Sequence, residues 1–152
     1  MSRHAAPATI GWREWVSLPD LGLATLKAKT DTGARTSALG ATNIDVMELA
    51  DGSRHVSFHV RPDRRRPDHI IACRAPLVDQ RRVTNSGGAT QMRYVVQTLA
   101  VLADHRWSIE VTLADRNDMM FPMLLGRTAL AGRFVVDPGS SYVFGRHHRS
   151  DV

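Results

Sequence analysis

Apolar residues in this chain recur mostly at every second position, the spacing of strands that bury one face. Val56, Phe58 and Val60 fall on one face, with His55, Ser57 and His59 on the other. Turn signals cut the pattern into short pieces. Pro19-Asp20-Leu21-Gly22 closes a segment over residues 10–16, and Asp51-Gly52 sits between residues 43–49 and 53–61 as in a tight hairpin. Further strands are predicted over residues 69–78, 91–102 and 107–113, and only residues 127–131 read as helical. Such a chain can bury its apolar residues only by closing short strands on one another. The expectation is an all-β barrel with one short helix. A length of 152 residues suits one domain that needs no staples. It is placed over residues 10–145, with a flexible N-terminus over 1–9 and a polar tail over 146–152.

One strand carries chemistry at its end. Residues 23–30 put Leu26, Ala28 and Thr30 on one face and run into Asp31-Thr32-Gly33-Ala34. Asp supplies a carboxylate, the Thr hydroxyl can tie the loop down, and Gly lets backbone approach backbone. Alone, these residues also describe an ordinary turn. Some ninety residues on, Phe121-Pro122-Met123-Leu124-Leu125-Gly126-Arg127-Thr128 gives an apolar strand, a Gly and an Arg that opens the helical stretch.

The pair resembles the retropepsin-like aspartic proteases, in which a hydrophobic-hydrophobic-Gly-Arg element threads beside the Asp-Thr-Gly loop. Lys29-Thr30-Asp31-Thr32-Gly33-Ala34-Arg35-Thr36-Ser37-Ala38-Leu39, with Leu113-Ala114-Asp115-Arg116 and Pro122-Met123-Leu124-Leu125-Gly126-Arg127, is similar to one bacterial and archaeal family. That family is labelled ATP-dependent zinc protease and is found beside ATP-grasp glutamate ligases of the ribosomal-modification type. The similarity spans residues 10–142. It implies a retropepsin-like closed β-barrel, the acid-protease fold as a single lobe, and an aspartic endopeptidase. Asp31 would be catalytic, Thr32, Gly33 and Ala34 would shape its loop, and Leu124, Leu125, Gly126 and Arg127 would support it. An ATP-grasp ligase partner follows from the same likeness.

Hydrolysis of this kind needs two carboxylates sharing one proton, one to take a proton from water and one to protonate the carbonyl oxygen. It requires neither a metal nor a covalent intermediate, and no cofactor is expected. The rival second acid is Asp137, in Phe134-Val135-Val136-Asp137-Pro138-Gly139, where Pro removes both a hydroxyl and an N–H. A two-fold homodimer supplying Asp31 twice is the preferred source. Granted that dyad, Asn85-Ser86-Gly87-Gly88 is the flap tip, with Ser86, Gly87 and Gly88 as substrate contacts; otherwise it is a plain hairpin turn. Arg35 stands where retroviral enzymes carry an acid that pairs with the Gly-Arg arginine. Arg127 therefore needs another partner, Asp115 before Asp137, and Arg35 is free to attract an acidic peptide substrate.

A net charge of +5, almost all of it Arg, would suit an acidic partner, yet scattered solvated charges explain it as well. The densest run, Arg61-Pro62-Asp63-Arg64-Arg65-Arg66-Pro67-Asp68, is broken by prolines and acids and reads as an exposed loop, so nucleic acid is not the expected ligand. Neither a leader segment nor a membrane span is read, and the single Cys73 suits a reducing compartment; the expectation is a soluble cytoplasmic protein. Zinc is not expected. His55 and His59, like His69 and Cys73, stand too far apart along strands to chelate one ion unaided. His147-His148 falls in the polar tail. Trp12, Trp15 and Trp107 are assigned to the core or a dimer interface, Tyr94 and Phe121 to packing, and Thr36 and Ser37 to local turn bonding. Two other classes remain beside the peptidase: a non-catalytic module that regulates the ligase, and an Arg-rich nucleic-acid binder.

Overall fold

Ten strands make one continuous sheet, and six of them close into a barrel. The structure, a computed structural model, describes residues 6–84, 87–114 and 119–146. The strands are β1 (Ala8–Leu18), β2 (Leu23–Asp31), β3 (Ser37–Gly40), β4 (Thr42–Glu48), β5 (Arg54–Val60), β6 (Ile71–Thr84), β7 (Thr90–Leu102), β8 (His105–Ala114), β9 (Met123–Gly126) and β10 (Phe134–Ser141). One short helix, α1 (Arg127–Leu130), and a 3-10 turn at Pro19–Leu21 complete them.

The sheet order is β10-β1-β2-β9-β3-β8-β7-β6-β5-β4, and a β1–β7 pairing at Ser17 and Val101 joins the first and last barrel strands. Alternation along the strands decides what fills the interior. Ile10, Val16, Leu18, Leu26, Ala28, Leu39, Val111, Leu113, Met123 and Leu125 are buried within it. Each large side chain among them contributes about 1.5–3 kcal/mol by leaving water. Val56, Phe58 and Val60 extend the core under the β4–β5 hairpin.

The sheet departs from the sequence reading at β3 and β6. β3 was not foreseen: Ser37 is fully buried in a strand, where turn bonding was the expectation. β6 runs through Pro76 and the arginines to Thr84, well past residue 78, because its first half pairs with β5 and residues 77–84 pair with β7. Trp107 is in the core, as one of the two assignments had it, and its indole N–H donates to Ala129 O at 3.1 Å, fastening α1 to the barrel. Trp12 and Trp15 are only half-buried. Trp15 stacks on Tyr142, and Trp12 meets Phe121 edge-on.

Candidate active site

β2 ends at Asp31 because β9 runs parallel beside it, with Asp31 opposite Gly126. β9 in turn lies antiparallel to β3, so the chain leaving Asp31 must fold back across Gly126 to enter β3. Space at that crossing is minimal. A methyl group on Gly126 would lie 2.5 Å from the backbone carbon of Thr36 and 2.7 Å from the nitrogen of Ser37. Only glycine fits between Leu125 and Arg127 while the two backbones touch.

Hydrogen bonds then lock the loop from behind. Gly126 N–H donates to Ser37 Oγ at 3.0 Å, Arg127 N–H to Ala34 O at 2.7 Å and Thr128 N–H to Arg35 O at 3.0 Å. Ser37 O accepts from Thr112 Oγ1 at 3.2 Å, tying the same point to β8. The Arg127 guanidinium reaches over the loop and donates to Thr32 O at 2.9 Å. Among the described residues that carbonyl is its hydrogen-bond partner. Asp115 lies outside the described residues, and Asp137 makes no ion pair with Arg127. The loop contribution of Thr32 also comes from its carbonyl: among the described residues its hydroxyl makes no hydrogen bond, and the residue is exposed.

Asp31 is half-buried. Its Oδ1 accepts Gly33 N–H at 3.2 Å, while Ala34 N–H donates to its backbone carbonyl. Among the described residues Oδ2 has no donor, so one carboxylate oxygen is free for a water, a substrate or a second carboxyl. Asp137 is arranged differently. Its Oδ2 accepts the Ser140 hydroxyl at 2.7 Å and its Oδ1 the Gly139 N–H at 3.0 Å. Those two bonds, the Ser140 one first, hold this exposed carboxyl below the usual carboxylate range. β1 separates β10 from β2, so two strand spacings, about 10 Å, lie between the backbones that carry the two acids. Among the described residues neither carboxyl hydrogen-bonds the other.

Beside the Asp31 loop lies an open apolar concavity of about 500 Å³, lined by Thr32, Arg127, Leu130, Phe134, Val136 and Pro138 among others. Val135 on its rim is 54% exposed. Arg35 is exposed next to the loop, while Lys27 lies against the Trp15 ring on the outer face. The β6–β7 hairpin pairs as far as Thr84 and Thr90 and carries Gly87 and Gly88 at its end. Gly88 takes a φ of +89°, the left-handed conformation a tight tip requires. Asn85 and Ser86 lie outside the described residues, as do Arg116 and His147-His148.

The histidine and cysteine pairs do not fit a zinc ion. The Cys73 thiol is buried, donates to Leu21 O at 3.3 Å and is pushed up to about 11 by burial, far from the thiolate a metal takes. His69 is exposed beyond the end of β6. Among the described residues no three His, Cys, Asp or Glu side chains converge.

Two residues important to this site were missed in the sequence. Ser37 holds Gly126, and nothing in Thr36-Ser37-Ala38 separates a buried serine from a turn serine. Glu14 is fully buried in β1, where its carboxylate accepts N–H groups from Gly11 at 2.7 Å, Val143 at 3.0 Å and Phe144 at 3.2 Å. The neighbouring Thr30 hydroxyl donates to Trp12 O at 3.1 Å, so β1 is clamped beside the strand that carries Asp31.

A closed six-strand barrel with one Asp-Thr-Gly loop seated on a Gly-Arg element defines a single lobe of the retropepsin-like class. Within that class the chain belongs to the family described as retropepsin-like aspartic endopeptidase RimB, whose model matches residues 9–147. Curated relatives carry another name. A Desulfotalea psychrophila protein named "Probable alpha-L-glutamate ligase" is 40% identical over 95% of this chain, and a Parasynechococcus marenigrum protein of the same name is 44% identical over 90%. The chain spans 31% and 29% of their respective lengths, about a third of each. A crystal structure of a Legionella pneumophila protein of unknown function superposes with a TM-score of 0.75 at 30% identity, covering 91% of this chain and 99% of that one.

Proposed function

We propose that the chain is an aspartic endopeptidase that acts as a two-fold homodimer, each protomer contributing Asp31 to one catalytic dyad. The observation that carries this reading is the Asp31 carboxylate itself, fixed by its loop through Oδ1 and with Oδ2 unengaged among the described residues. It is half of an aspartic dyad. Asp137 is spent on its own turn and stands about 10 Å away across β1, so a second copy is the economical source of the other half. The apolar concavity beside Thr32, with the exposed Val135, suits burial against that copy.

In such a dyad one carboxylate takes a proton from water as the water oxygen bonds to the peptide carbonyl carbon. The other, protonated, donates to the carbonyl oxygen. The tetrahedral diol then collapses, the C–N bond breaks, and the leaving nitrogen takes a proton. Asp31 handles the protons, and the Arg127 and Gly126 contacts hold it still so that geometry is paid for before substrate arrives. Exposed Arg35 beside the loop favours acidic residues near the scissile bond. In this reading Gly87 and Gly88, at the end of the β6–β7 hairpin, cover the substrate.

The names of the curated relatives favour a second reading: a retropepsin-fold module that partners or regulates an ATP-grasp glutamate ligase without cutting. Purified protein incubated with peptide libraries separates the two. The peptidase reading predicts cleavage with Glu or Asp enriched near the cut, abolished in Asp31→Asn with fold retained, and a loss of acidic preference in Arg35→Ala. Unchanged peptides under all conditions, with tight binding to the ligase, would favour the module.

A further inference from the structure

A second concavity lies at the other end of β9. It is about 230 Å³, lined by His59, Arg61, Arg64, Met119, Met120 and Pro122 among others. Four residues of β9 separate Pro122 from Gly126, a rise on the order of 13 Å, so this cavity is distinct from the Asp31 site. Among the described residues its charged lining is cationic. The nearest acid in the Arg-rich loop, Asp63, accepts the Arg65 N–H at 3.0 Å and pairs with the Arg65 side chain, which leaves Arg61 and Arg64 without an ion pair among the described residues. The lining also holds Met119, Met120 and Pro122, and Met120 is 73% exposed, the most exposed of the large hydrophobic residues described.

The shape narrows the ligand. Two arginines and a histidine lining one cavity with two methionines call for an anionic head on a short apolar stem. The volume is below the roughly 300–1,000 Å³ of pockets for drug-sized molecules, so it takes one side chain rather than a nucleotide or coenzyme. A strand edge starts at the same place. Among the described residues β4 pairs only with β5 and is the last strand of the sheet, and its first residue, Thr42, lines the cavity. The β4 register shifts between Thr42 and Asp45, and Asn43 within that interval has a φ of 53°. An unpaired edge offers backbone N–H and C=O groups to an extended chain.

We propose that this cavity is a docking site for an acidic segment of a peptide, which lies along the β4 edge and places one glutamate or aspartate side chain between Arg61 and Arg64, over Met120. It works independently of the Asp31 chemistry. Met methyl carbon-13 labelling of the full chain, in the Asp31→Asn background so that no turnover interferes, reads it directly. Adding tetraglutamate should shift the Met119 and Met120 methyl signals and leave that of Met92 in place, and tetraglutamine should do neither. Arg61→Gln with Arg64→Gln should weaken the tetraglutamate response at least tenfold, while Arg35→Ala leaves it unchanged. Inorganic phosphate should act only at far higher concentration. Signals that stay put, a response undiminished in the double variant, or phosphate as effective as the peptide would each overturn the assignment. Both arginines are exposed, so the variants are expected to fold, and unchanged thermal unfolding verifies it.

Discussion

Gly126 has the least room of any residue at the candidate site. A single methyl there would meet the Thr36 and Ser37 backbones at 2.5 and 2.7 Å, and neither can move without dragging β3 or the Asp31 loop. Gly126→Ala should therefore cost about 2 kcal/mol or more. Activity should fall further than stability does, because the displaced group is the loop that carries Asp31. Thermal unfolding set beside peptide hydrolysis tests this; a variant with wild-type stability and rate would contradict the close approach. Cys73 allows a prediction in pH. Burial raises its thiol from an ordinary 9.0 to about 11, so the folded chain keeps a proton that the unfolded chain gives up in that window. Stability from this group is intact below pH 9 and declines as pH rises toward 11. Urea unfolding should show that decline in the wild type and lack it in Cys73→Ala. Thiol reagents at pH 8 should label Cys73 only after unfolding.

At the scale of elements, strands with a regular alternation were legible and those made by distant partners were not. Val56, Phe58 and Val60 spell out β5, and Asp51-Gly52 its turn, because both signals lie within a few neighbouring residues. The Asp31 loop and the Gly126-Arg127 element were readable as motifs. β3 was not: four residues, Ser-Ala-Leu-Gly, are too few to show a period, and they become a strand only between β8 and β9, brought in from more than seventy residues away. Glu14 was invisible for the same reason. A glutamate in a strand reads as solvent-facing until Val143 and Phe144, some 130 residues later, present their N–H groups to it. This clamp joins β1 to the segment after β10. Glu14→Ala would orphan three backbone donors around a fully buried site and should cost about 3 kcal/mol or more. Glu14→Gln, which keeps an acceptor oxygen, should cost less. Hydrogen exchange at Val143 and Phe144 should rise in step, and unchanged protection there would argue against the clamp.

At the scale of the whole molecule, the described residues present one Asp-Thr-Gly loop, an apolar concavity next to it, and a cavity lined by arginines at the far end of β9. In curated relatives named "Probable alpha-L-glutamate ligase" a matching segment forms about a third of a longer chain. The central claim is that two Asp31 carboxylates, one from each protomer, make one active centre. Mixing wild type with Asp31→Asn at varied ratios under free subunit exchange tests it most directly. If the dyad spans two chains, hydrolysis follows the square of the wild-type fraction, about a quarter of full activity at equal amounts. If each chain holds a complete centre, activity falls in proportion to the wild-type fraction, to about half at equal amounts, and the two-fold dyad is wrong.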